Sequence, residues 1–130
     1  MDANSFVGIP YKHGACGHDG CDCWGLVRLV EMEAFGVFLP AVQDERPLPE
    51  PKDIAAEISE KKELLPLEVV STPQDGDIAL MHYLNVPCHV GVIVNGQLLH
   101  SDPLCRDLSR MARLTDPRIS ARIEGYYRVR

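Results

Sequence analysis

Apolar residues recur at helical spacing early in the chain. Leu26, Val27, Leu29 and Val30 form the leading run, Met32 and Phe35 follow one to two turns on, and Gly36 is a stop signal. Asp22 stands just ahead of this run, where a side-chain oxygen can cap a helix. In the second half the period changes. Cys88-His89-Val90-Gly91-Val92-Ile93-Val94 and Gln97-Leu98-Leu99-His100-Ser101 are two β-rich runs joined by Asn95-Gly96, the strongest short hairpin signal. Pro73-Gln74-Asp75-Gly76 reads as a turn feeding a strand over 77–81, and a last strand falls near 123–129. Residues 53–63 predict a short amphipathic helix, with Ile54, Ala55 and Ile58 on one side, after a proline-rich connection from Pro40 to Pro51. Gly8 to Cys21 reads as a loop. A helix followed by a strand-rich half predicts an α+β fold rather than alternating βαβ units.

Composition bounds the class. With 130 residues, 45% of them hydrophobic, and no internal repeat, the chain is expected to form a single domain over 1–130 with its own core. A net charge of −6 argues against nucleic acid as a partner, because phosphate binding needs concentrated Lys and Arg. Arg106, Arg110, Arg113, Arg118, Arg122, Arg128 and Arg130 do gather late in the chain, while acidic residues crowd Asp44 to Glu68. Solvated surface is the preferred reading of that asymmetry. No run approaches membrane-spanning length, and Met1 to Phe6 lacks the basic and apolar segments of an export signal. Five cysteines, an odd number, then predict reduced thiols and synthesis in a cytoplasm.

One of those cysteines has a special position. Cys23 falls in the first turn of the predicted helix, where unpaired backbone N–H groups and the macrodipole favour a thiolate. With Asn95 and Gly96 as the loop, Val94 faces Gln97 and Gly91 faces His100, so His89 and His100 project from one sheet face as diagonal neighbours. Gly91 leaves room beside them, and Val90, Val92 and Val94 point the other way into a core. A cysteine, a base and a third polar group that orients the base are what thiol-based nucleophilic catalysis requires. Asp22 and Asp77 are expected to serve as a helix cap and a turn residue rather than as an acid/base pair. His82 and Tyr83 receive no role.

The order of these blocks resembles the NlpC-type cell-wall cysteine peptidases. The shared pattern is Gly8-Ile9-Pro10-Tyr11, Asp22-Cys23-x-Gly25-Leu26-Val27, Leu39-Pro40, Asp75-Gly76-Asp77-Ile78-Ala79, His89-Val90-Gly91-Val92-Ile93, Leu98-Leu99-His100-Ser101 and Gly125-Tyr126-Tyr127-Arg128. The resemblance implies a papain-like fold with Cys23 as nucleophile, His89 as general base and then acid, His100 as the orienting residue and Tyr11 beside the oxyanion. It also implies a peptidoglycan stem peptide as substrate, with the bond between D-glutamate and the diamino acid as the first expectation. No cofactor is implied. Trp24, where most cell-wall members have serine, resembles the phage-tail and prophage branch, which implies tail proteins as partners and action at the wall from a virion. Two other readings compete with the enzyme. One is a catalytically silent tail component that keeps the fold. The other is a zinc-binding interaction module built on His13, Cys16, His18, Cys21 and Cys23, with Cys88 and Cys105 as further ligands.

Overall fold

Asp22 and Gly36 bracket the first helix as the periodicity predicts. In the computed structural model, which describes residues 3–12, 14–39, 67–83, 86–101 and 108–129, α1 spans Cys23–Phe35. Gly36 ends it in the left-handed region at φ 70°, a conformation that glycine adopts without steric cost. The segment ahead of the helix, expected to be a loop, is instead a small hairpin of β1 (Cys16–Gly17) and β2 (Gly20–Cys21). Strands of two residues leave no alternation for a sequence pattern to display.

Six further strands make one antiparallel sheet. They are β3 (Leu67–Val70), β4 (Ile78–Tyr83), β5 (Val86–Val94), β6 (Gln97–His100), β7 (Arg110–Ala112) and β8 (Ile123–Val129), in the order β3-β8-β4-β5-β6-β7. The predicted hairpin has the expected register, with Val94 opposite Gln97 and Gly91 opposite His100. Asn95 and Gly96 both take positive φ, 52° and 73°, as a two-residue turn of the right-handed hairpin twist demands. The strand expected over 77–81 begins one residue later and runs on through His82 and Tyr83. β3 and β7 escaped the sequence reading because both are short and lie at the two edges of the sheet. The amphipathic helix expected over 53–63 and the Pro40 to Pro51 connection lie outside the described residues. Among the described residues no helix is long and apolar enough to cross a membrane.

Both faces of the sheet are covered. Leu26, Val27, Leu29 and Val30 of α1 pack with Ile78, Leu80, Val90, Val92, Val94 and Leu99, so the hairpin valines face a core as expected. On the opposite face Ala79, Met81, Ile93 and Leu98 meet Ile119 of the short helix α2 (Pro117–Ser120). Met32, counted with the apolar pattern, is exposed.

The core also holds charge. Asp77 is buried and accepts from Gln74 N–H at 2.7 Å, the backbone role expected of it. It is in addition clasped by Arg128, with Nε and Nη2 each 2.9 Å from a carboxylate oxygen. Glu31 of α1 is 2% exposed, and among the described residues its Oε1 has no hydrogen-bond partner. Burial first, and the charge of Asp77 second, push its pKa from 4.5 up to about 7. A folded-state value above the unfolded one means the neutral acid is the form the fold tolerates. Its contribution is full below about pH 4.5 and is lost as pH rises to about 7. That interval corresponds to about 3 kcal/mol. Glu31→Gln is therefore expected to be the more stable protein at pH 8 and to lose that advantage by pH 4.5, as measured by urea unfolding across the range.

Candidate active site

The backbone around Cys23 is fixed from several sides. Asp22 uses both carboxylate oxygens, Oδ1 accepting from Gly25 N–H at 2.6 Å and Oδ2 from Gly14 N–H at 2.9 Å. The aspartate thus caps α1 and ties the preceding loop to it. Asp22 N–H donates to Ala15 O at 3.3 Å, and a Cβ at Gly25 would lie 1.9 Å from that same oxygen, so only glycine admits the carbonyl. Cys23, 6% exposed, is the first residue of the helix, where its N–H has no intrahelical acceptor.

Tyr11 is stitched to the same place. Cys21 N–H donates to Pro10 O at 3.1 Å and Lys12 N–H to Cys21 O at 3.0 Å, so Tyr11 runs alongside Cys21, two residues before the helix. Just upstream, Gly8 N–H donates to Ser109 O and Ser109 N–H to Ile9 O, which anchors the approach to Tyr11 on the far edge of the fold.

The two histidines meet as the register predicts. His89 Nε2 lies 2.9 Å from His100 Nδ1, with the side chains 0% and 4% exposed. Gly91 faces His100, and a Cβ there would come within 2.5 Å of Leu98 Cδ1 and 3.1 Å of His100 Cβ. A side chain at position 91 would collide with Leu98 and crowd His100. Because the bond to His100 uses Nε2, proton exchange between His89 and any other group falls to Nδ1. His89 also sits at a bend that no sequence pattern signals. Met81 pairs with His89 but His82 pairs with Pro87, so Cys88 is an extra residue on β5. On the other side of β4 the adjacent step is irregular, between Leu80 and Met81 against β8. Bulges bend a strand and re-aim the residues beside them.

The chain thereby brings His89 to His100 and Tyr11 to the entry of the cysteine helix, and packs that helix on the strand that carries His89. His18, a candidate metal ligand, is engaged elsewhere. Nδ1 meets Ser5 O at 3.0 Å, Nε2 meets the Glu33 carboxylate at 2.8 and 3.0 Å, and the ring stacks on Phe6. Acceptors at both nitrogens favour the imidazolium, and the Glu33 hydrogen bond is the main cause of its raised pKa. This clasp leaves neither nitrogen for zinc. Cys16 and Cys21 are directly opposed across β1 and β2. His13, Cys105 and the side chain of Cys88 lie outside the described residues.

Sequence reasoning missed Glu31 and the second bond of Asp22. Glu31 could have been found, since it lies four residues after Val27 on the helix face that is buried. The Asp22 bond to Gly14 could not, because it depends on the course of a loop.

The NlpC/P60 family model matches residues 8–121 of the chain. Among solved structures, the fold is similar to an NLP/P60-family protein, described as similar to lipoprotein, from Staphylococcus aureus subsp. aureus Mu50. The TM-score is 0.66 at 21% identity, covering 98% of this chain and 38% of that one. It is also similar to the NlpC/p60 domain of the peptidoglycan hydrolase SagA, at TM-score 0.61, 17% identity and 95% and 90% coverage. A third neighbour, NlpC1 from Trichomonas vaginalis, gives 0.62 at 20% identity, with 98% of this chain and 41% of that one aligned. At these identities the likeness is one of fold. The chain spans about two-fifths of the length of the Staphylococcus and Trichomonas proteins. No curated protein sequence matches it.

Proposed function

The chain belongs to the NlpC/P60 family, and on that footing we propose that it is a cysteine peptidase that hydrolyses an amide in the stem peptides of peptidoglycan. The observation that carries the reading is the buried hydrogen bond between His89 and His100, on the strands that pack beneath the helix headed by Cys23. In the proposed reaction the Cys23 thiol gives its proton to His89 Nδ1, and the thiolate attacks the scissile carbonyl. His89 Nε2–H donates to His100 Nδ1 throughout, which fixes the tautomer and the ring plane and spreads the charge of the imidazolium. The Cys23 N–H and the Tyr11 hydroxyl hold the tetrahedral oxyanion. His89 returns the proton to the leaving amine, and water then hydrolyses the thioester by the same two steps.

The bond we assign is that between D-glutamate and the diamino acid. Trp24 beside the nucleophile supports a tail-associated setting for the domain, with delivery to the wall by a virion. The His18 clasp weighs against the zinc module, which would need that imidazole.

The test is digestion of purified peptidoglycan followed by mass spectrometry of the soluble products. Fragments that begin with the diamino acid are expected, and iodoacetamide pretreatment should stop their release. Cleavage at another amide would move the specificity and keep the mechanism. Failure to release any peptide from walls of several chemotypes, by a chain that is folded, would overturn the reading in favour of a silent structural component.

A further inference from the structure

Cys16 and Cys21 are not used by the proposed reaction, yet their geometry is specific. They are opposite residues of an antiparallel pair whose turn is His18-Asp19. Both backbone groups of Cys21 bond outward, its N–H to Pro10 O and its C=O to Lys12 N–H. The next pair along is bonded across the hairpin by Asp22 N–H to Ala15 O. Cys16 and Cys21 are therefore a non-hydrogen-bonded pair, the kind in which Cα atoms approach to about 4.5 Å and side chains lie closest. That spacing is inside the range a disulfide spans. The turn is also held from outside, by His18 on Ser5 and Glu33, so closing the bridge orders little that is not already ordered.

We propose that Cys16 and Cys21 form a reversible modification site, a cross-strand dithiol that a small disulfide oxidises to a bridge while Cys23 remains a thiol. Cys16, half-buried, attacks first by access, and the nearby Arg28 charge opposes the rise that burial imposes on its pKa. Cys21, wholly buried and pushed up to about 12, is the resolving partner. The Cys16 sulfur displaces one thiolate from the small disulfide. The Cys21 sulfur then displaces the second and forms the Sγ–Sγ bond. Two protons leave the cysteines for the two thiolates released, so two thiols are oxidised by two electrons and one disulfide is reduced to two thiols. The bridge fastens the hairpin that leads into α1, on the strand residue that pairs with Tyr11.

The experiment is incubation of the full chain with oxidised glutathione, then non-reducing digestion and mass spectrometry covering all five cysteines. A Cys16–Cys21 link is expected, with two hydrogens lost from the intact mass. The melting temperature should rise by about 6 °C and fall back with dithiothreitol. Cys23 should still alkylate with iodoacetamide at its original rate. Cys16→Ser and Cys21→Ser should each abolish the link and the thermal shift. A bridge that includes Cys23, Cys88 or Cys105, glutathione adducts alone, or loss of Cys23 alkylation in the bridged chain would each overturn the proposal. None of these outcomes depends on peptidoglycan cleavage.

Discussion

Cys23→Ala is expected to fold as the parent does and to release stem peptides at least about 10⁴-fold more slowly. Only a small side chain is removed from a site already 6% exposed, and the capping bonds of Asp22 belong to its neighbours, so the stability cost should stay near about 1 kcal/mol. On the proposed mechanism the loss is large because the thiolate is one member of a group that acts together. His89→Ala should fall to a similar floor, and the double variant should be little worse than either single one, since each has already lost the covalent route. His100→Ala should lie between, because Cys23 and His89 remain but the ring of His89 is no longer held at Nε2. The measurement is initial rate of peptide release, with urea unfolding run on the same preparations. Wild-type rates in Cys23→Ala would remove the cysteine from the chemistry altogether.

Gly25→Ala is expected to destabilise the chain by about 4 kcal/mol or more, against the direction that helix propensity gives. In a solvent-facing helix the same change stabilises by about 1 kcal/mol. Here the new methyl carbon would fall 1.9 Å from Ala15 O and 2.9 Å from Asp22 Oδ1. The first of these is a backbone atom, which no rotamer change can move aside. Relief requires the loop to separate from the helix, and with it go the Asp22 N–H to Ala15 O bond and the Asp22 bonds to Gly25 and Gly14. Each is worth about 1 kcal/mol net, and more where the carboxylate accepts. Urea unfolding reads the stability, and the peptide-release rate reads the second effect. The rate should collapse even at low temperature where the variant is folded, because the separated loop carries the strand partner of Tyr11 away from Cys23. A Gly25→Ala chain as stable as the parent would mean that the close approach is not what holds this loop.

What the sequence disclosed was decided by local periodicity and turn chemistry. α1 was visible because Leu26, Val27 and Val30 repeat at helical spacing between a capping Asp22 and a left-handed Gly36. The pairing of His89 with His100 was visible because Asn-Gly fixes a two-residue turn and the turn fixes the register. The bulge at Cys88 was not, since it arises from how β4 must serve β5 and β8 at once. Nor was the β1–β2 hairpin, whose bonds go to Pro10, Lys12 and Ala15 rather than along a repeating pattern. The loop's cysteines and histidines suggested a metal site by their proximity in sequence. The fold instead sends His18 to Glu33 and sets Cys16 against Cys21.

The place of β8 bears on how such a protein is made. It follows every other strand in the chain, yet in the sheet it lies between β3 and β4, with Arg128 closing on Asp77 at one end. As the polypeptide leaves the ribosome, the cysteine helix and both histidine strands emerge while one edge of β4 is still open. The late strand is the keystone of an arch whose other stones are already laid. Until it drops in, the nascent chain holds Cys23, His89 and His100 on a sheet whose central pairing of β4 is only half made.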